Sequence, residues 1–187
     1  MATTYKLLGK VETSQSTLSI TNKALTSNVA TITTSSSHNF IVGQTVSIIL
    51  DTSDASFDGV HIITSSPSST TFTFESINSN VSSVAATGDA TGFEWNNMYT
   101  CPSSTSSVVT SLVITNKNTH GVYYQIAICD SESVSGEDYI VYNDLMAGYE
   151  TISLAMGITL DDVEKNIMVC AGDSNVTFNA FGMEITA

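Results

Sequence analysis

Arginine is absent from this 187-residue chain, and five lysines face eighteen aspartates and glutamates, giving a formal net charge of −13. Affinity for DNA and RNA rests on Lys and Arg neutralising phosphates, so no nucleic acid is expected as a partner. An anionic membrane surface is disfavoured for the same reason. The missing guanidinium also removes the planar fork that grips carboxylate and phosphate through two hydrogen bonds. Long apolar runs are lacking too. None approaches the ~20 residues that span a bilayer, and the opening stretch MATTYKLLGKVET has no secretory apolar segment. A soluble chain made in a reducing cytosol is expected, with no membrane partner. Cysteine is scarce: Cys101, Cys129 and Cys170 are too few to form a closed disulfide set. Cys129 and Cys170 lie among apolar strand residues, which predicts buried free thiols rather than metal ligands or nucleophiles. Charged residues make up only 12% of the chain, so its polarity comes mainly from Ser, Thr and Asn.

What is present is two-residue alternation. In Tyr139–Leu160 it predicts two strands joined by a tight turn at Ala147-Gly148. On the first, Tyr139, Val141 and Leu145 would share one face and Ile140 and Tyr142 the other. On the second, Ile152, Leu154 and Met156 would oppose Thr151 and Ser153. The same pattern appears at 95–100, 108–115, 122–129, 166–171 and 176–184. About seven short antiparallel strands there favour a sandwich of the jelly-roll or immunoglobulin-like kind. Segments 4–11 and 17–20 are expected to complete its sheet, and residues 160–165 (LDDVEK) could hold a helical turn.

Between these parts the composition shifts. Strands at 29–34, 45–50, 60–64 and 71–75, separated by turns, suggest a small β-barrel or sandwich. The polar stretch 85–91 (AATGDAT) reads as a hinge leading back. The expectation is an all-β chain: an antiparallel β-sandwich from residues 1–22 and 93–187, and an inserted small β module at 24–92.

Candidate chemistry is sparse. Gly172-Asp173-Ser174 echoes the start of one esterase motif, but no histidine follows it and a serine nucleophile needs a base; a turn is the expectation. Asp51, Asp54 and Asp58, and likewise Asp130, Glu132, Glu137 and Asp138, could offer oxygens to Ca²⁺. Neither stretch has the twelve-residue loop pattern, so solvated acidic loops are expected instead. His38, His61 and His120 show no metal-ligand spacing; His38 is expected to shape a turn, and His120 to sit exposed at a turn. No catalytic residue, metal ligand or cofactor is expected. The tyrosines differ in kind. Tyr combines apolar area with a polar tip, which suits protein interfaces and sugar platforms. Tyr123, Tyr142, Tyr149 and Trp95 are therefore the candidate interface or glycan contacts.

Residues 37–74, with His38, Phe40, Val42-Gly43, Val46, Ile48, Phe57-Asp58-Gly59, Ile63-Thr64-Ser65 and Thr70–Phe74, resemble a small β module common in tailed-phage virion proteins. The outer segments, with Tyr99-Thr100-Cys101-Pro102, Asn116, Gly157–Leu160 and Phe178–Glu184, resemble short virion structural proteins of marine cyanobacterial phages. Cys101 stands where that family usually has Val. The resemblance implies a non-enzymatic virion protein of neck, tail-accessory or fibre type, assembled in the host cytoplasm. Capsid decoration and host-glycan receptor binding are the alternatives. The implied partners are other virion proteins and further copies of the chain, a trimer among the forms, with a host surface glycan under the receptor-binding alternative.

Overall fold

The computed structural model describes residues 2–13, 15, 17–161 and 165–186. Regular structure among them is entirely strand. The first strand, β1, spans Ala2–Glu12. Seven follow closely: β2 (Thr17–Thr26), β3 (Val29–Thr34), β4 (Thr45–Leu50), β5 (Gly59–Ser68), β6 (Thr71–Glu75), β7 (Val81–Ala85) and β8 (Gly88–Gly92). The remainder are β9 (Asn96–Thr100), β10 (Thr105–Asn116), β11 (Val122–Cys129), β12 (Tyr139–Met146), β13 (Thr151–Leu160), β14 (Asn166–Ala171) and β15 (Val176–Thr186). The chain divides into two compact units, Met1–Ser14 with Glu94–Ala187, and Gln15–Phe93.

The first unit is a sandwich of two four-stranded antiparallel sheets, ordered β1-β15-β10-β13 and β12-β11-β14-β9. Counting its own eight strands in chain order, these sheets read 1-8-3-6 and 5-4-7-2. That is the jelly-roll connectivity. Alternation supplies the core: Val109, Leu112 and Ile114 from β10, Tyr124 and Ile126 from β11, Ile167 and Val169 from β14, and Phe178 and Ala180 from β15. Full burial of each large aliphatic or aromatic side chain contributes about 1.5–3 kcal/mol.

The second unit closes on itself. Its sheet runs β3-β6-β5-β4-β8-β2, and β2 pairs back onto β3, making a six-stranded barrel with β7 added beside β2. Closure removes the unpaired edges that an open sheet would leave. Leu25, Ile32, Ile48, Phe57, Ile63, Phe72 and Phe74 fill the interior.

Four sequence expectations change here. The boundary expected at residues 22–24 falls inside β2, which runs unbroken as a barrel strand; only β1 completes the sandwich sheet, and Phe93 belongs to the barrel. The hinge expected at 85–91 is the end of β7 and most of β8, a strand held between β4 and β2. Its small residues reflect close packing rather than looseness: Ala90 is fully buried, and a Cβ on Gly92 would lie 2.5 Å from the Phe40 ring. The two strands of Tyr139–Leu160 are not a hairpin. β12 pairs with β11 and β13 with β10, so the turn carries the chain from one sheet to the other. Alternation assigns faces but not partners. Finally, β12 is bulged twice against β11, which turns Tyr139 to the face opposite Val141. The helical turn expected at 160–165 falls largely on 162–164, outside the described residues.

The three cysteines are buried, and none is in a disulfide. Burial raises the Cys170 thiol well above its ordinary value, which keeps it protonated and unreactive.

Candidate interaction surface

β11 sends Val122, Tyr124 and Ile126 into the sandwich core, so Tyr123, Gln125, Ala127 and Cys129 face outward. On neighbouring β14 the outward residues are Asn166, Met168 and Cys170. An outward sheet face is normally wet, yet Gln125, Ala127, Cys129, Met168 and Cys170 are all at most 3% exposed. The cover is local. Trp95 and Val134 pack on Ala127, Cys129 and Met168. The Cys170 thiol donates to Gln125 Oε1 at 3.3 Å, and the Gln125 amide donates to Asn143 Oδ1.

An aromatic row lies across this cover. The Trp95 and Tyr139 rings are 5.7 Å apart, and Tyr139 meets Tyr142 edge to face at 4.9 Å. Burial holds the Tyr139 phenol above its usual value. Tyr142 is half exposed at 50%. Further along the same sheet face Tyr123 lies opposite Leu145, with exposures of 37% and 55%. A polar border adjoins the row: Asn97 Nδ2 donates to Glu132 Oε1 and Thr100 Oγ1, both at 2.9 Å, and Asp138 Oδ2 accepts from the Ser135 amide at 2.6 Å. Together these residues form flat apolar area with polar tips at its margin, which suits another protein or a sugar ring.

Of the four candidate contacts, the structure links Trp95 and Tyr142 through Tyr139. Tyr123 shares their sheet face beside Leu145. Tyr149 stands apart on the turn after β12, 71% exposed, with φ +58° and its amide donating to Asn118 O. Tyr139 was missed as a contact because unbroken alternation puts it on the core side; only the bulges turn it outward. No family model and no curated protein matches this chain. Its surfaces therefore have to be read from their own chemistry.

The other singled-out residues serve the loops that hold them. Asp58 accepts from the Leu50 amide (2.8 Å), Ser53 Oγ (2.9 Å) and the Asp54 amide (2.8 Å), while Asp54 pairs with Lys23 at 2.7 Å. The Lys23 ammonium holds Asp54 below the usual carboxylate range. Among the described residues no group of three or more His, Cys, Asp or Glu side chains is gathered as a metal site. His38 is buried, and its Nδ1 accepts from the Phe40 amide at 3.2 Å, the turn-shaping bond expected of it. His120, expected to be exposed, is so, and its Nε2 meets Asp173 Oδ2 at 2.8 Å. Ser174 Oγ lies 3.4 Å from the other oxygen of Asp173. Serine, aspartate and histidine thus come together in the wrong order, with the carboxylate between the hydroxyl and the base, so His120 has no hold on the Ser174 proton.

His61 ties chemistry to stability. Its ring stacks on Phe74 at 3.9 Å, and its Nε2–H donates to Phe57 O at 2.8 Å. Burial pulls its pKa below the ordinary 6.5, outweighing that hydrogen bond. The unfolded chain takes up this proton below about pH 6.5 and the folded chain does so only at lower pH, so stability falls as pH drops through that window. His61→Phe is expected to abolish this slope while costing about 1 kcal/mol at pH 7 for the lost hydrogen bond. Denaturant midpoints at about pH 7 and pH 5.5 would check it.

Proposed function

We propose that the chain is a non-enzymatic structural component of a tailed-phage particle, of neck, tail-accessory or fibre type, and that it docks on the particle through its jelly-roll sandwich. The observation that carries this reading is the outward face of the β12-β11 pair. There Tyr123, Tyr142 and Leu145 hold apolar area at the surface of a chain whose net charge is −13. Interfaces enrich Tyr and deplete charge at their centres. Two further observations support it: the jelly roll is a scaffold shared by viral capsid and lectin domains, and the sequence resembles short phage virion proteins. Fold likeness alone carries no function, so the surface bears the weight.

The test is to produce particles carrying the Tyr142→Ala, Leu145→Ala double variant. Incorporation is expected to fall at least tenfold, which corresponds to about 1.4 kcal/mol of docking free energy, with the circular dichroism of the free protein unchanged. Normal incorporation would count against docking at this face. Cryo-electron microscopy of wild-type particles would separate tail or neck sites from a capsid-lattice position, the decoration alternative.

A second reading has one observation in its favour. The Trp95–Tyr139–Tyr142 row beside Asn97 and Glu132 offers stacking faces next to hydrogen-bonding groups, as a host-glycan site requires. Glycan-array binding abolished by Tyr142→Ala but retained in Tyr149→Ala would favour it.

A further inference from the structure

The four edges of the sandwich are unequal. β1 carries Lys6 and Lys10 and a register shift between Leu7 and Gly9. β12 is bulged twice and carries Asp144, and β9 has only five residues. Charge, bulges and shortness are the devices that stop a sheet edge from pairing with another chain. β13 is guarded least. Its ten residues, TISLAMGITL, contain no charge and no proline. Among the described residues it pairs on one side only, with β10. Its one irregularity sets Met156 and Gly157 opposite the single residue Thr110 of β10, and the alternation of exposure along β13 runs through it unbroken.

The row facing inward is also incompletely covered. Ile152, Leu154, Met156 and Ile158 pack on the sandwich core yet stay only partly buried, because β13 is the last strand of its sheet. Exposure alternates without a break from Thr151 to Thr159. We propose that β13 is the self-association edge of this protein, pairing antiparallel with β13 of a second copy about a two-fold axis near Ala155. This rests on the reading of the chain as an assembling component and names the edge used.

The sequence is self-complementary in that register. Directly opposed residues of antiparallel strands lie on one face. Pairing about Ala155 sets Ile152 against Ile158 and Leu154 against Met156 on the core side, with Thr151 against Thr159 and Ser153 against Gly157 outside. The half-covered apolar row of each copy is thereby finished by the other. Charge selects the occupant. A two-fold contact repeats the same residues on both sides, and a chain of charge −13 can approach itself only where charge is absent. β13 meets that condition along its whole length. Just beyond its ends, Glu150 of one copy would face Leu160 of the other, one residue from that copy's Asp161, so like charges are brought near one another at both ends of the contact. Association should therefore strengthen with added salt, whereas docking of a basic partner would weaken.

Analytical ultracentrifugation of the full chain tests this. The wild type is expected to sediment at twice the chain mass at tens of micromolar, with its dissociation constant falling at least threefold between low and moderate salt. Ala155→Glu places like charges on the axis and should leave a monomer with an unchanged circular dichroism spectrum. The double variant Ser153→Lys, Gly157→Glu, which opposes unlike charges across the two-fold, should remain dimeric. A monomeric wild type, an Ala155→Glu dimer, or a trimer as the smallest assembly would overturn the proposal. The particle reading fails separately: it falls if the chain is absent from particles, whatever its state in solution.

Discussion

Replacing Asn116 by alanine is expected to cost the sandwich about 3 kcal/mol and to lower its unfolding temperature by roughly 10 °C. Asn116 ends β10 with no exposed surface. Its Nδ2 donates to His120 O and Ala147 O, each at 2.9 Å, and its Oδ1 accepts from the Asn118 amide at 2.9 Å. One side chain thus joins the loop after β10 to the turn between β12 and β13. Alanine leaves three partly buried backbone groups without this partner, each costing up to about 1–3 kcal/mol less whatever water relieves. Asn116→Asp sharpens the point. A carboxylate keeps the acceptor but turns an oxygen toward two carbonyls, so its folded pKa is raised and the lost stability returns in part as pH falls. Thermal unfolding of both variants against wild type, at about pH 7 and pH 5, would show alanine insensitive to pH and aspartate recovering on acidification. Equal losses for both at both pH values would remove Asn116 from this role.

Gly88→Ala should be as damaging to the barrel, by about 3–5 kcal/mol. Gly88 has φ +147°, where L side chains are strained, and a Cβ there would collide with Ile49 O and lie 2.6 Å from Leu50 Cα. Both obstacles are backbone of β4, which cannot move without opening the β4–β8 pairing that helps close the barrel. Gly43→Ala is the control: φ is +89° but nothing lies within 4 Å of the new methyl. It should cost only the backbone strain, about 1–2 kcal/mol. Chemical denaturation of the two variants separates collision from strain, and equal losses would mean that close packing at β8 is unimportant.

Much of the fold was legible because strand alternation is a local signal. The strands at 45–50, 71–75, 122–129 and 166–171 begin and end at the residues the sequence pattern predicted. The failures occurred where long-range packing overrides composition. Gly88 and Ala90 looked like linker because a closely packed strand and a flexible hinge favour the same small residues. β2 was divided between units because alternation in Thr17–Thr26 does not reveal which sheet receives it. The candidate surface was half legible. Trp95 and Tyr142 could be named, but Tyr139, the ring that joins them, depends on two bulges that no residue pattern announced. The contact of His120 with Asp173, 53 residues away, was beyond any reading of spacing.

The place of the barrel within the jelly roll carries one more consequence. It interrupts the chain between β1 and β9, the first two jelly-roll strands, and these pass so closely that Gly9 has no room for a side chain beside Met98 O. A short loop could join them without disturbing the order of either sheet. Recombination could therefore add, exchange or delete the barrel as a cassette while the sandwich keeps its place. Variation among descendants of this chain should then gather in residues 15–93 and leave β13 and the aromatic face untouched.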